Sequence, residues 1–389
     1  MKVVFYSYAH FFDYALHFSS EISKIVDLYL LIEVPPESKK KNMLDLQYIS
    51  TDSGLVEGTS VLANLFPSEL IDELKNIKEF KLILHPNKKA FSLSTLLTNF
   101  KVLSFIEKIQ PDIIHFDHVS IRSSFLFFFL RKKLIISNVH DPIEHTFETN
   151  WKIKASYKLA YPYIKKFIFF SNQYVKMFSG VFYGKKIFES KLGVYNKYRK
   201  FVTHSKKNGK KKILFFGRIS YYKGIDVFLK ALEIIDKQFT DIEYEIYGQL
   251  EKNFLMPKIP AYENKLNINY AYTSNSQLAN LFNNAYVIVC PYLESTQSGV
   301  VMTSFAFFKP VIATNVGGLP EYVLDGVNGK IIHPNSPLEL ASALQHILTD
   351  EKYYYKLCTN IRKINNKKFN WEIIVARTKE IYNEILEDK

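Results

Sequence analysis

Residues 291–329 constrain the fold of this chain more than any other segment. They read PYLESTQSGVVMTSFAFFKPVIATNVGGLPEYVLDGVNG, which predicts a strand end, a small-residue turn at Ser298, a helix start, a β-branched strand and a Gly-Gly loop. This succession is how an open α/β sheet presents backbone N–H groups to a phosphorylated ligand. Glu294 beside those amides would repel phosphate, so we expect it to accept hydrogen bonds from neutral sugar hydroxyls. The segment therefore indicates a nucleotide-sugar site.

Short apolar runs alternate with helical patterns along the whole chain, which predicts parallel sheets with crossover helices and an α/β fold class. The predicted strands are 2–6, 28–32, 113–116, 134–138 and 166–170, then 213–216, 244–247, 268–271, 287–290, 311–314 and 330–332. The predicted helices are 13–24, 92–108, 152–160, 226–238, 277–283, 337–348 and 371–386. Residues 35–90 show no clear order of elements. The polar, basic stretch 203–212 is predicted to link two domains, because a new strand and the same alternation follow it.

The composition supports a folded two-domain protein. The chain has 389 residues, and 47% of them are hydrophobic, which excludes extended disorder. Cys290 and Cys358 have neither metal-ligand nor redox spacing. The chain shows no secretory signal and no apolar run long enough to span a bilayer, so we expect a cytoplasmic location.

The net charge of +13 is unevenly distributed. Residues 151–200 hold twelve basic residues and one acid, Glu189, among many aromatic residues. This mixture suits the anionic face of a membrane, and it equally suits a solvated basic surface with its aromatic residues turned inward. No nucleic-acid-binding signature accompanies it, so we expect no nucleic-acid partner.

A glycine and two cations follow the strand 213–216. Gly217 ends the strand, and Arg218 and Lys223 flank the turn that leads into the next helix. Arg218 could grip phosphate oxygens with its planar guanidinium while Lys223 supplies a point charge, although solvated loop cations would look the same. The chain contains no Asp-x-Asp triplet that could hold a divalent metal on a diphosphate, so we expect no metal and no bound cofactor.

Histidines and carboxylates cluster after strands of the first half. His140, Asp141 and His145 follow the strand 134–138, and His115 and Asp117 lie at the end of the strand before it. Such groups could orient an acceptor or transfer protons, and packing of satisfied polar groups is the alternative. The loop after the first strand has no glycine, so His10 or Asp13 would act there through its side chain, or the loop would only pack.

Four segments together resemble a retaining glycosyltransferase of family 4 (glycosyl transferases group 1). They are GRISYYKG at 217–224, ESTQSG with KPVIATNVGGLPE at 294–321, DGVNG at 325–329 and FNWE at 369–372. The resemblance implies the GT-B fold, in which two Rossmann-like domains face each other across a cleft. It implies an acceptor-binding domain at 1–205, a nucleotide-sugar-binding domain at 206–372, and a helix at 373–389 that crosses back to the first domain.

The resemblance also implies residue roles. Catalysis would depend on His140, Glu294, Arg218 and Lys223. The donor would contact Gly217, Arg218, Lys223, Glu294, Gln297, Ser298, Gly299, Val300 and Thr303. Thr303 stands where the family usually has a second glutamate that holds the ribose. The acceptor would contact His10, His115, Asp141 and His145.

The function implied is transfer of a hexose, with retention and without a metal, from a nucleotide-diphosphate sugar. The acceptor would be a saccharide or lipid-linked saccharide of cell-surface polysaccharide, such as lipopolysaccharide or capsule, at the inner face of the membrane. The sequence leaves other functions open: a nucleotide-sugar epimerase or phosphorylase of the same fold, or an inactive protein that binds anionic lipid or nucleic acid.

Overall fold

The chain forms two compact units. The computed structural model describes residues 1–41, 43–46, 54–143, 151–180, 184–203, 209–252, 254–258 and 265–387. Unit 1 comprises Met1–Pro142, Thr149–Leu192 and Trp371–Lys389, and unit 2 comprises Ile143–Glu148 and Gly193–Asn370. Unit 1 is therefore built from three separate stretches of sequence.

Strands and helices alternate through unit 1. Its strands are β1 (Lys2–Tyr8), β2 (Asp27–Val34), β3 (Lys40–Lys41), β4 (Leu44–Asp45), β5 (Gly54–Glu57), β6 (Glu79–Leu84), β7 (Ile113–Phe116), β8 (Ile135–Val139), β9 (Lys166–Phe169) and β10 (Lys186–Glu189). Its helices before residue 190 are α1 (Phe12–Ile22), α2 (Gly58–Ala63), α3 (Ser68–Asp72), α4 (Leu93–Ile109), α5 (Ser124–Phe129), α6 (Trp151–Ala160) and α7 (Asn172–Phe178). The central strands are apolar on both faces because helices cover both sides of a parallel sheet.

The main sheet of unit 1 has the order β10-β9-β8-β7-β1-β2-β6-β5 within the described residues. All neighbours are parallel except β5, which runs antiparallel to β6. The strand order reverses between β1 and β7, where Phe5 pairs with His115. Open α/β sheets bind ligands at such a reversal, beyond the carboxyl ends of the strands.

The helix Trp371–Glu387 completes unit 1 and contacts α1. The Trp371 ring lies 5.5 Å from the Tyr14 ring and 5.7 Å from the His17 ring. Ile374, Ile381 and Ile385 are buried along one stripe of this helix. Their spacing of seven and four residues is that of a helix packed on a core.

Unit 2 contains the second sheet. Its strands are β11 (Lys211–Phe216), β12 (Ile242–Tyr247), β13 (Leu266–Asn269), β14 (Val287–Cys290), β15 (Val311–Thr314) and β16 (Gly329–Ile332). Its helices are α8 (Ile225–Ile235), α9 (Asn275–Asn284), α10 (Gly299–Ala306), α11 (Leu319–Tyr322), α12 (Pro337–Thr349) and α13 (Glu351–Lys367), so Trp371–Glu387 is α14. In the described residues the parallel order is β13-β12-β11-β14-β15-β16, which reverses between β11 and β14.

Every strand and helix predicted from the sequence overlaps an observed one. The irregular region 35–90 contains β3 to β6 with α2 and α3, and the 17-residue α13 was not predicted. Residues 204–208 of the predicted linker lie outside the described residues, and β11 begins at Lys211, inside the predicted segment. The predicted domain limits stay predictions.

Candidate functional site

The loop after β11 lies at the carboxyl end of a central strand of unit 2. Gly217 has a φ of +117°, and its N–H donates to the carbonyl oxygen of Tyr247 at 3.0 Å. At neighbouring Gly248, a Cβ would lie 1.7 Å from the carbonyl oxygen of Gly217. Backbone atoms of the two turns therefore touch, which a side chain would prevent. Arg218 follows with an exposed side chain.

Lys223 lies beside the loop that follows β14. It ends the short 3-10 turn Tyr221–Lys223, and its Nζ lies 3.7 Å from the centroid of the Tyr292 ring. An ammonium at this distance over an aromatic face is attracted to the ring. The Tyr292 ring therefore holds the cation next to the segment that carries Glu294.

Backbone contacts fix the same two loops against each other. The N–H of Leu293 donates to the carbonyl oxygen of Tyr222 at 2.7 Å. Gly224 has a φ of +69°, and a Cβ there would lie 2.0 Å from the carbonyl oxygen of Pro291. The approach requires glycine for its φ and for its space.

The start of α10 adjoins these loops. Ser298 is the N-cap, and its Oγ accepts from the N–H of Val301 at 3.4 Å. The N–H groups of Gly299 and Val300 lie in the first turn, which has no acceptor within its own helix. A Cβ at Gly217 would lie 3.6 Å from Cγ2 of Val300, so the loop after β11 borders this helix start.

Glu294 and Gln297 lie in the loop before α10, and both are half-buried. The Ser295 hydroxyl donates to the carbonyl oxygen of Gln297 at 3.1 Å. The N–H of Gly318, in the loop after β15, donates to the carbonyl oxygen of Thr296 at 3.2 Å. The loop that carries Glu294 is thus held from both sides.

Thr303 is buried in the second turn of α10. Its hydroxyl donates to the carbonyl oxygen of Gly299 at 2.9 Å, a bond that threonine commonly makes inside helices. The Thr303 hydroxyl therefore donates within its own helix. The family usually has a glutamate here, whose carboxylate only accepts hydrogen bonds.

The structure thus gathers the predicted donor residues around the strand-order reversal of unit 2. These are Gly217, Lys223, Glu294, Gln297, Ser298, Gly299 and Val300, with Arg218 directly after Gly217 and Thr303 one turn into α10. Two cations and a helix N-terminus can neutralise a diphosphate, and a carboxylate beside them can accept hydrogen bonds from hydroxyls.

In unit 1, polar groups converge on Asp117, the residue after β7. Its Oδ2 accepts from the Ser7 hydroxyl at 2.6 Å, and its Oδ1 accepts from Nδ2 of Asn138 at 2.8 Å. Nε2 of His140 lies 2.7 Å from the same Oδ1. Because a carboxylate only accepts, Nε2 of His140 carries a proton.

His115 extends this network to α14. Its Nε2 lies 2.8 Å from Oδ1 of Asn138, and its Nδ1 lies 2.6 Å from the Tyr382 hydroxyl. Since Oδ1 of Asn138 can only accept, Nε2 carries the proton and Nδ1 accepts from Tyr382. A neutral His115 therefore satisfies both of its neighbours.

The pKa values follow from burial and these partners. Burial opposes ionisation of Asp117, but His140 and the hydrogen bonds from Ser7 and Asn138 outweigh it and hold the pKa below its ordinary value. Burial lowers the pKa of His115 to about 4, although the bond to Asn138 acts the other way. At neutral pH the network holds an ionised Asp117 and a neutral His115.

His140 is enclosed by aromatic rings. It stacks on Phe11 with centroids 4.1 Å apart and lies 4.9 Å from Phe170 and 5.3 Å from Tyr14. The residue is only 4% exposed. Its ring is therefore fixed by Asp117 at one nitrogen and by packing on its faces.

The other predicted acceptor residues are placed less closely. The half-buried His10 contacts Phe11, which in turn stacks on His140. Asp141 is exposed directly after His140. His145 lies outside the described residues. His115 is buried between Asn138 and Tyr382, with both of its nitrogens engaged in the structure.

Sequence reasoning had no role for Ser7, Asn138 and Tyr382, whereas it named Asp117 with His115 as a candidate at a strand end. The position at carboxyl ends of adjacent strands was the available signal for Ser7 and Asn138. Tyr382 carried none, because its helix is remote in sequence. Among the described residues, no helix combines the length and apolar character needed to cross a bilayer.

Residues 196–367 match the family model of glycosyl transferases group 1. A D-inositol 3-phosphate glycosyltransferase of Paenarthrobacter aurescens is 31% identical over 178 residues, which cover 44% of this chain and 43% of that protein. The chain spans about half the length of the curated relatives it matches. These matches support the resemblance to glycosyl transferases group 1 over this part of the chain.

Solved structures resemble the chain along its whole length. The sucrose-phosphate synthase of Thermosynechococcus elongatus has a TM-score of 0.69 at 15% identity, with all of both chains covered. Anabaena HepE in complex with UDP-glucose has a TM-score of 0.66 at 13% identity, with 99% of this chain and 100% of that chain covered. This likeness confirms the predicted α/β fold with two Rossmann-like sheets.

Proposed function

We propose that this protein is a glycosyltransferase that moves a sugar from a nucleotide-diphosphate sugar to a saccharide or lipid-linked saccharide acceptor. One observation carries the proposal. Within the region that matches glycosyl transferases group 1, the loops that carry Arg218, Lys223 and Glu294 adjoin one another and the start of α10 at the strand-order reversal.

The donor is assigned to unit 2. The diphosphate takes the N–H groups of Gly299 and Val300, and Arg218 and Lys223 neutralise its charge. Glu294 accepts hydrogen bonds from hydroxyls of the sugar. As the bond from the anomeric carbon to the diphosphate breaks, negative charge grows on the leaving oxygen. Cations fixed beforehand stabilise that charge most, because they need no rearrangement during the reaction.

The acceptor is assigned to unit 1, around the His140 loop. Asp117 holds the His140 ring through Nε2, and His140 would reach the acceptor and the reacting sugar, as the resemblance implies. Asp141 follows His140 in the chain, and His10 contacts Phe11, which stacks on His140; both residues would orient the acceptor. His145 belongs to the same proposal through the resemblance.

Metal independence and retention are parts of the proposal with different support. Arg218, Lys223 and the α10 amides supply the positive potential that a metal supplies to a diphosphate elsewhere, so we expect EDTA to leave the activity intact. Retention at the anomeric carbon rests on the resemblance to family 4. The polysaccharide pathway and the cytoplasmic face of the membrane belong to this proposal on the same ground.

The test begins with the purified full chain and a panel of nucleotide-sugars in EDTA, with UDP-sugars first because HepE was solved with UDP-glucose. We expect one nucleotide class to raise the melting temperature and to release its diphosphate when an acceptor is added. NMR of the product would then show whether the anomeric configuration is retained.

Three outcomes would contradict the proposal. Isomerisation of the donor sugar without an acceptor would identify an epimerase. Strict dependence on a divalent metal would remove the role given to the cations. Absence of binding by every nucleotide-sugar, with the chain folded by circular dichroism, would rule out the donor site in unit 2.

A further inference from the structure

Helix α4 of unit 1 exposes an apolar stripe. Leu93 and Leu97 are 71% and 54% exposed, and Phe100, three residues further, is also exposed. The spacing of four and three residues places these side chains on one side of the helix. Phe91, just before the helix, is 71% exposed as well. Single exposed apolar residues are common on proteins, but a stripe of this kind indicates a binding surface.

The stripe continues onto α5. The Phe100 ring lies 5.6 Å from the Phe125 ring and 6.2 Å from the Phe129 ring, and Phe128 lies 5.3 Å from Phe129. Phe128 and Phe129 are 50% and 45% exposed. The outward sides of α4 and α5 therefore form one continuous surface. We call it the aromatic face and define it by Phe91, Leu93, Leu97, Phe100, Phe128 and Phe129.

Cations border this face. The guanidinium of Arg131 lies 4.4 Å above the Phe128 ring, and Lys132 next to it is exposed. Lys88 and Lys89, which precede Phe91, are exposed as well. The stretches 86–106 and 118–140, which build the face and its border, contain no Asp or Glu. Glu107, one residue beyond the first stretch, pairs with Lys133 at 3.5 Å. An apolar centre with a predominantly cationic border is complementary to a bilayer with anionic headgroups.

We propose that the aromatic face docks unit 1 on an anionic phospholipid surface, with its Leu and Phe side chains entering the interface and its Lys and Arg side chains meeting the headgroups. Nucleic acid is a poorer fit, because exposed leucines at helical spacing have no partner on a phosphate backbone. A second protein is a poorer fit, because protein interfaces are depleted of lysine.

The location differs from the one that the sequence indicates. Residues 151–200 are basic and aromatic, but Phe167, Phe169 and Phe170 are buried in the core of unit 1. In that segment these three rings are therefore turned away from solvent, although Trp151 is 65% exposed. The inference rests on the proposed function only for the purpose of the docking, which is to bring the enzyme to a lipid-linked acceptor. The docking itself does not depend on sugar transfer.

The test is co-sedimentation of the full chain with vesicles of phosphatidylcholine, alone or mixed with phosphatidylglycerol, without donor or acceptor. Leu97→Ser/Phe128→Ser removes apolar contacts, and Arg131→Glu/Lys132→Glu reverses the charge. Leu338→Ser is the matched control, because Leu338 is 74% exposed on α12 of unit 2. All of the substituted side chains are exposed, so the fold should survive.

We expect the unmodified chain to bind the anionic vesicles, and high salt to weaken that binding. Arg131→Glu/Lys132→Glu should bind at least about tenfold more weakly, since one cation near an anionic surface contributes about fivefold. Leu97→Ser/Phe128→Ser should also bind at least about tenfold more weakly, because it removes two large apolar side chains from the interface. Leu338→Ser should bind like the unmodified chain. Each of these results supports the docking surface.

Equal binding to both vesicle types, or unchanged binding by Leu97→Ser/Phe128→Ser, would overturn the inference. So would a dimer in sedimentation velocity that this variant converts to a monomer, because the face would then join two copies of the chain. Salt-sensitive binding to single-stranded RNA in place of vesicles would also overturn it. Nucleotide-sugar binding by the variants is measured separately in solution. If the docking inference fails while the variants still bind nucleotide-sugar, the proposed function is unaffected.

Discussion

The Tyr382 hydroxyl lies 2.6 Å from Nδ1 of His115, although 267 residues separate the two in the chain. Both residues are buried in unit 1. The bond connects α14 to the hydrogen-bonded series His115, Asn138, Asp117 and His140. Burial lowers the pKa of His115, and the neutral ring can accept from Tyr382 at Nδ1, which a protonated ring could not do.

Acid should destabilise the protein through His115. Its pKa is about 4 in the fold and about 6.5 when unfolded, so the unfolded chain binds more protons between these values. Stability is therefore lost as the pH falls from 6.5 to 4, by about 3 kcal/mol for this residue. Glu33 has the opposite effect on stability, because burial raises its pKa to about 6 and the folded chain then binds more protons as the pH falls. Its pH range, from about 6 down to the ordinary carboxyl pKa, is narrower than that of His115. Urea unfolding of His115→Gln should show a flatter pH dependence. The exposed His346→Gln should keep the original slope, and an equally steep profile for both variants would contradict this account.

Tyr382→Phe should destabilise unit 1 without changing its shape. The substitution leaves Nδ1 of His115 buried and without its donor, which costs about 1–3 kcal/mol. Denaturant unfolding measures the loss. Tyr355→Phe, at an exposed tyrosine of α13, is the control and should be neutral. A neutral Tyr382→Phe would show that the hydroxyl makes no net contribution.

Arg218→Ala and Lys223→Ala should each weaken binding of a nucleoside diphosphate about tenfold or more, and the double variant about 100-fold or more. Hydrogen bonds from cations to phosphate are among the strongest in proteins, and the pair acts on one group. Calorimetric titration gives the affinities. Lys237→Ala, at an exposed lysine of unit 2, should bind normally. Full affinity in the double variant would contradict the assignment of Arg218 and Lys223 to the diphosphate.

Glu294→Gln should separate the sugar from the nucleotide. A carboxylate that accepts from sugar hydroxyls matters only when the sugar is present, so affinity for the nucleotide-sugar should fall about tenfold. Affinity for the free nucleoside diphosphate should not change. Glu233→Gln on α8 is the control. Equal losses for both ligands would place Glu294 at the nucleotide and not at the sugar.

Gly224→Ala and Gly326→Ala form a matched pair. Their φ angles are +69° and +67°, so both substitutions carry the left-handed cost of about 1–2 kcal/mol. Only at Gly224 would the new Cβ meet a backbone atom, the carbonyl oxygen of Pro291, whereas nothing lies within 4 Å at Gly326. We expect a larger loss of melting temperature at Gly224, together with weaker donor binding. Similar losses at both sites would mean that the loops can separate without cost.

The sequence predicted secondary structure correctly where the hydrophobic pattern and the turn-forming or helix-capping residues indicated the same boundary. The apolar run before Pro291 and the small-residue turn at Ser298 predict a strand end and a helix start, and the structure has both. Helix α13 was missed because its tyrosines and asparagines have weak helix propensity, so its one buried stripe stabilises it only after packing.

Two kinds of information were not in the sequence. The contact between Tyr382 and His115 joins segments that only the folded topology brings together. The run of phenylalanines in α5 also gives no sign of which rings are buried: Phe127 is fully buried while Phe128 beside it is half exposed. Exposure on a short helix depends on the neighbouring elements, and these are distant in sequence.

Because α14 belongs to unit 1, the ribosome synthesises the last element of unit 1 only after all of unit 2. Unit 1 therefore cannot finish folding before unit 2 has been made. Unit 2 is synthesised before Trp371 and Tyr382 emerge, and until then Tyr14, His17 and His115 lack their contacts with α14. Residues 1–192 produced alone should therefore be prone to aggregation, and adding Trp371–Glu387 as a separate peptide should rescue their solubility.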